Sequence, residues 1–336
     1  MHNFDESIRV DIVVSGKLRR YNHLNLVQQL MKVRTIVIPN TIDMLKVFVG
    51  AVQSFVKLMA WRPDVVFTKG GFVCLPIGVA AHFLRIPLVI HDSDAHPGLT
   101  NRILARFATA IGTGAPLKFY SYPQSKAHYV GVPINPEFRP FSAQQQRAAK
   151  ASLGFDESYP LIVVTGGGLG ARRINEAVAH SADSLAGVTN TILISGKNQY
   201  DDVRTITPDD TPHYRVLPFV SEGMAEMLGA ADIVVARAGA TTILELAALA
   251  KPTILIPNAY LTGGHQLKNA AVYAEHSAVR IIDEEALESD VSLLVATVRE
   301  MLADRDAMRQ MGERFCEFAR PDAAKDMARL IMAAIK

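Results

Sequence analysis

Short, almost wholly apolar runs recur along the chain: DVVFT, PLVIH, LIVVTG, TILISG, DIVVAR and PTILIP. Small or polar residues follow each run, and then comes a longer segment with apolar positions at helical spacing. This alternation predicts parallel β/α units. LIVVT and TILIS lack polar alternation, so both faces of those strands should be covered, as in a doubly wound sheet. In such sheets ligands gather at the carboxyl ends of the strands.

The pattern falls into two blocks. The first ends near residue 136 and the second opens with the polar, Gln-rich FSAQQQRAAKASLG, while VGVPINPEFRP, with three prolines, reads as the linker. The expected divisions are a first domain over 1–136, a second over 137–320 and a terminal segment over 321–336. That segment's helix, residues 323–335, follows Arg320-Pro321-Asp322 and is expected to cross back onto the first domain.

A longer apolar stretch, residues 42–61, is interrupted by Lys46, Gln53 and Lys57, which at helical spacing form one narrow polar stripe. It makes a poor transmembrane span. Ile42, Leu45, Val49, Val52, Val56 and Met59 are expected to face a core. Met44, Phe48, Ala51, Phe55 and Leu58 then form a second apolar face that needs a partner. Two partners are open: neighbouring elements that bury the helix, or a membrane surface flanked by the lysines.

Composition narrows the function. A chain of 336 residues, 49% hydrophobic and 20% charged, can bury a sizeable core and is long enough for two domains. Its 35 Lys and Arg against 33 Asp and Glu leave a net charge of +2, without the basic excess of a generic nucleic-acid binder. Cys74 and Cys316 are far apart and outside any metal-ligand spacing, so neither a disulfide framework nor a zinc site is expected. The opening MHNFDESIRVDIVV lacks a secretory pattern, and a cytoplasmic location fits.

Several strand-end segments carry candidate chemistry. In LIVVTGGGLGARRIN a buried strand runs into Gly166, Gly167, Gly168 and Gly170 before a helix, so backbone amides can approach an anion; a purely structural turn is the alternative. In RAGATTILE, residues 237–245, Arg237 ends a strand, Gly239 and Ala240 turn, Thr241 and Thr242 open a helix, and Glu245 lies in its first turns. Amides and helix dipole suit a nucleotide diphosphate, Arg237 adds charge and the carboxylate can accept ribose hydroxyls. The alternative is a capping box made by a threonine and Glu245. In IPLVIHDSDAHPGLTNRILARFA, His91, Asp92 and Asp94 gather at a strand end ahead of Asn101, where an Asp-x-Asp metal site or a merely structural histidine are both conceivable. TKGGFVCLPIG and NAYLTGGHQLKNA, with His265 and Gln266, are further candidate loops.

Taken in order from about Gly16 to Pro321, GKLRR, KGGFVCLPIG, IPLVIHDSDAHPGLTNRILARFA, VGVPI, GGGLGARRIN, FVSEGM, ADIVVARAGATTILELAALAKPTILIP, GHQLKNA and ARPDA resemble the MurG family. The resemblance implies a GT-B fold of two Rossmann-like α/β domains. It also implies an inverting transfer of N-acetylglucosamine from UDP-N-acetylglucosamine to a lipid-linked muramyl-pentapeptide at the cytoplasmic face of the membrane. Ala240, Thr241, Thr242, Ile243, Leu244 and Glu245 would bind phosphates and ribose, Val220 would contact the uracil, and Gln266 with His265 would read the sugar. Gly167 and Gly168 would line the phosphates, with Gly168 standing where the family usually has serine, and Asn135 where many members have arginine. The family's His-Glu-x-Asn becomes His91-Asp92-Ser93-Asp94, with His91 and Asp92 as the candidate catalytic pair and Asp94 and Asn101 beside the substrate. The scheme needs no metal or other cofactor. No GGTGGH-type loop precedes Gly16, so the first domain is expected to lack its opening β/α units. Alternative readings are another lipid-acceptor GT-B transferase, a UDP-N-acetylglucosamine 2-epimerase, or a non-catalytic UDP-sugar binder.

Overall fold

The computed structural model describes residues 9–16, 31–167, 171–207, 211–259 and 264–335. The chain divides into two compact units. The first comprises Met1–Asp92, Pro97–Tyr129 and Asp326–Lys336, and the second comprises Ser93–His96 and Val130–Lys325.

In the first unit a π-helical turn, Val33–Val37, leads into α1 (Ile38–Trp61). There follow β1 (Val66–Thr68), α2 (Cys74–Phe83), β2 (Leu88–Asp92), α3 (Leu99–Leu104), β3 (Ala110–Thr113) and β4 (Ala127–Tyr129). The strands are parallel in the order β1-β2-β3-β4, with Ile90 beside Thr68 on one side and Ile111 on the other. Leu88, Ile90, Leu104 and Ile111 form the centre of its core.

Helix α1 reverses the expected orientation. Its buried residues are Asp43, Gly50, Ser54 and Leu58, and this small-residue side packs on α2. Gly50 is required there, because a Cβ would stand 1.9 Å from the Val14 carbonyl oxygen. Ile42, Leu45, Val49, Val52, Val56 and Met59, expected in the core, are instead exposed together with Met44, Phe48 and Phe55. Close backbone approach favours small residues over large ones at the contact, which defeats an assignment made from hydrophobicity alone. Residues 9–16 run along the same helix, with Val14 donating to Gln53 Oε1 at 3.0 Å and Lys57 bonded to Asp11 at 2.7 Å.

The second unit opens with α4 (Ala143–Ser152), started by a reciprocal capping box between Ser142 and Gln145. Then come β5 (Leu161–Thr165), α5 (Arg172–His180), α6 (Ala182–Ala186), β6 (Asn190–Ile194), α7 (Tyr200–Ile206) and β7 (Tyr214–Leu217). The rest of the sheet is built by α8 (Met224–Ala230), β8 (Ile233–Ala236), α9 (Ala240–Ala248), β9 (Thr253–Leu255), α10 (His265–Ala274) and β10 (Arg280–Ile281). Helices α11 (Glu284–Ser289), α12 (Ser292–Ala303), α13 (Arg305–Cys316) and α14 (Ala323–Ala333) complete the chain.

All pairings in this sheet are parallel and the order is β10-β9-β8-β5-β6-β7. The first strand therefore lies at the centre. The chain winds outward through β6 and β7, then returns to build β8, β9 and β10 on the other side. Between β5 and β8 the winding direction reverses, and a crevice forms there because the two following helices leave on opposite faces. Thr165 and Ala236 are in register, so the turns after β5 and β8 start at one level, side by side. Every residue of β5, β6 and β8 is buried, as their unbroken apolar runs require.

Candidate functional site

The turn after β8 is built by apolar burial. Ile233, Val234, Val235 and Ala236 are fully buried, which fixes the strand and delivers residues 237–239 at its end. Gly239 is the N-cap of α9, with φ −75° and ψ 136°. Among the described residues no heavy atom lies within 4 Å of where its Cβ would stand, so space opens in front of the turn. No side chain caps the helix, and Thr241 and Thr242 are its second and third residues. The capping-box alternative is thereby removed. The amides of Ala240, Thr241 and Thr242 head the helix, while that of Ile243 already bonds Gly239 O at 2.9 Å. Three amides and the positive end of a helix dipole make an anion site. Glu245, one turn further in, is half-buried, and burial raises its carboxyl above the usual range.

Beside it, β5 ends at Thr165, whose hydroxyl accepts from Gly167 N at 3.2 Å. Gly167 has φ +78°, a conformation that favours glycine. Gly168 lies outside the described residues. Helix α5 begins at Arg172 with Ala171 as N-cap and, like α9, has no side-chain cap. Two uncapped helix starts thus follow two neighbouring strands.

Other candidates of this unit have partners within the protein. Arg237 is 9% exposed, ion-paired with Glu284, and donates to Ile256 O at 3.0 Å. Ile243 and Leu244 are core residues, because the face of α9 that meets the sheet takes its apolar side chains. Gln266 Oε1 accepts from Asn258 N at 2.9 Å, so that oxygen holds a turn. Asn135 Oδ1 accepts from Glu137 N at 3.0 Å in the linker and borders a cavity of about 1200 Å³ whose lining excludes α9. Val220 is half-buried after β7, next to Phe219, over whose ring Lys197 Nζ sits at 4.8 Å.

Asn269 was not anticipated as a site residue, although the GHQLKNA motif contains it. It is buried, donates to Ala238 O at 3.1 Å and Asp94 Oδ1 at 3.0 Å, and accepts from Ala95 N at 2.8 Å. His265 Nδ1 is 3.4 Å from Asp94 Oδ2. Burial by itself would raise the Asp94 carboxyl, but the neighbouring His265 imidazole and the hydrogen bond from Asn269 hold it below the usual range.

In the first unit His91 and Asp92 are strand residues, 0% and 4% exposed. The candidate catalytic pair is thus enclosed at the end of β2. Asp92 accepts the Tyr122 hydroxyl at 2.7 Å, and burial, reinforced by the Asp92 charge, pushes the Tyr122 phenol up. Asn101 is also buried and donates to His91 O at 3.1 Å. A Cβ on Gly70 would stand 2.9 Å from the Asn101 side chain, so the Lys69-Gly70-Gly71 turn needs glycine there. These groups hold the strand end together. Asp92 and Asp94 each have their own partners, and among the described residues no cluster of three metal-ligating side chains occurs.

Relatives carry the same architecture. Residues 8–113 match the glycosyltransferase family 28 N-terminal domain and residues 161–327 the glycosyltransferase family 28 C-terminal domain. A UDP-N-acetylglucosamine--N-acetylmuramyl-(pentapeptide) pyrophosphoryl-undecaprenol N-acetylglucosamine transferase from Lachnospira eligens is 36% identical over 295 residues, 87% of this chain and 77% of that protein. The Treponema pallidum protein of the same name is 34% identical over 333 residues, 96% of this chain and 82% of its own. The crystal structure of Acinetobacter baumannii MurG superposes with a TM-score of 0.71 at 24% identity, covering 87% of this chain and 79% of that one. The UDP-GlcNAc 2-epimerase of Neisseria meningitidis, at TM-score 0.59 and 10% identity over 84% of this chain and 80% of its own, shares the fold. With both family domains matched in order and a third of positions identical across most of either chain, the protein belongs to the MurG family within glycosyltransferase family 28, with its GT-B fold and glycosyltransferase activity.

Proposed function

We propose that the chain transfers N-acetylglucosamine from UDP-N-acetylglucosamine to a lipid-linked N-acetylmuramyl-pentapeptide. One observation carries the donor half of this reading: β5 and β8 are neighbours at the switch point of the second sheet, and each is followed by an uncapped helix start. Amides at the heads of α5 and α9 would receive the two phosphates, and Glu245 would accept ribose hydroxyls. The acceptor hydroxyl attacks the anomeric carbon with inversion, its proton is removed, and UDP leaves with its new charge held by those preorganised amides. His91 and Asn101 would shape the first unit's strand end, and the relatives' names support the choice of acceptor.

The acceptor's lipid suits the exposed face of α1, where Met44, Leu45, Phe48 and Trp61 are each more than 60% exposed. The helical stretch Val33–Trp61 is long and apolar enough by length and composition to cross a membrane, yet α1 packs its small-residue side on α2. It would lie on the cytoplasmic face, its apolar side chains in the bilayer and Lys46 and Lys57 at the headgroups.

Release of UDP with and without lipid-linked muramyl-pentapeptide tests the reading. UDP should form only with acceptor present; donor converted without acceptor would indicate an isomerase instead. Co-sedimentation with anionic vesicles should fall for Phe48→Glu, and unchanged sedimentation would remove the membrane assignment.

A further inference from the structure

The two turns of the donor site are joined by an ion network centred on a buried carboxylate, Glu284, that lies outside every sequence motif. Glu284 opens α11 and is 2% exposed. One carboxylate oxygen is paired with Arg237 Nη2 and the other lies 3.4 Å from Arg173 Nη1. Arg237 directly follows β8, and Arg173 is the second residue of α5. A third rung runs from Arg173 Nε to Glu288 Oε2 at 3.1 Å. A single carboxylate therefore grips Arg237, at the start of one turn, and Arg173, in the first turn of the helix that follows the other.

We infer that Glu284 is a positioning residue for diphosphate binding, setting the separation of the α5 and α9 starts so that amides of both reach one diphosphate. The inference rests on the donor reading above. Hydrogen bonds weaken steeply with distance and angle, so two amide sets serve one ligand only when their spacing is fixed beforehand. The Arg237 side chain is held inward by Glu284 and the Ile256 carbonyl, which fixes the backbone of the Arg-Ala-Gly turn. Arg173 supplies the corresponding hold on α5. Glu284 itself is too enclosed to touch the ligand, so its effect passes through these two arginines.

Titration of the full chain with UDP and with uridine, which lacks phosphates, separates positioning from general stability. Glu284→Gln keeps shape and an acceptor but removes the charge; Arg173→Met cuts the α5 arm together with the Glu288 rung, leaves the Arg237 pair, and is the variant to use should the first fail to fold. Both should bind UDP more weakly, by about tenfold for Glu284→Gln and about threefold for Arg173→Met, while uridine affinity stays within about twofold. UDP affinity unchanged or raised in both variants would overturn the inference, as would equal losses for UDP and uridine. Failure of the donor reading looks different: the unaltered chain would show no preference for UDP over uridine.

Discussion

Two strand ends carry most of the ionisable residues singled out from sequence, and they use them in opposite ways. At the end of β2, His91, Asp92 and Asn101 are enclosed, with Tyr122 bonded to Asp92 and Asn101 to the His91 carbonyl. At the end of β8, Arg237 is enclosed too, but the turn beyond it presents helix amides beside a half-buried Glu245. In both places enclosed polar side chains hold the backbone. At β8 the held backbone leads into a helix start that no side chain caps.

The largest expected effect on this contrast is at Glu245. Glu245→Ala should weaken UDP about a hundredfold, since hydrogen bonds to a charged group contribute about 1.5–3 kcal/mol. The loss should shrink for 2′-deoxy-UDP in the same calorimetric titration. At β2 the opposite signature is expected: Tyr122→Phe leaves the buried Asp92 carboxylate short of a donor and should cost about 1–3 kcal/mol in denaturant unfolding, with UDP affinity unchanged.

A subtler change addresses the amides. Ala240→Pro removes the first amide of α9 at a position where proline is tolerated, and Gly239, at ψ 136°, already has the extended geometry that a following proline requires. UDP affinity should fall by about tenfold with little change in melting temperature.

The smallest effect is a control far from either turn. Lys251 caps α8 by donating to Gly229 O at 2.6 Å and Ala231 O at 2.8 Å, and burial lowers its pKa from 10.5 to about 8. Between about pH 8 and 10.5 the unfolded chain then binds more protons at this site than the folded one. Unfolding free energy should therefore rise with pH across that window by about 1 kcal/mol per unit at most. Lys251→Met should lose this rise in pH-dependent melts, and UDP affinity should not follow it.

Much of the fold was legible. The runs LIVVT, TILIS and DIVVA are strands because nothing polar interrupts them, and they are buried on both faces. The short strands β3, β4, β7 and β10 escaped notice because Gly112, His128, Arg215 and Arg280 leave none of them an unbroken apolar run. Helix α1 was found but turned the wrong way, since Gly50 and Ser54 seek close contact without being hydrophobic. At the site, RAGATTILE was legible as a strand end, turn and helix start, while the places of its side chains were not: Arg237 is ion-paired with Glu284, and Ile243 and Leu244 fill the core. Glu284 and Asn269 were missed because their partners are distant in sequence, Glu284 lying 47 residues from Arg237 and Asn269 31 from Ala238. Nor can single-chain patterning reveal strand order, which is what brings the turns after β5 and β8 together.

The claim that the second unit's amides hold the donor is tested most directly by amide NMR of the isotopically labelled chain titrated with UDP. The resonances of Ala240, Thr241 and Thr242 should shift most, and those of His91 and Asp92 should stay nearly unmoved. Dominant shifts at His91 and Asp92, with Ala240, Thr241 and Thr242 undisturbed, would contradict the account.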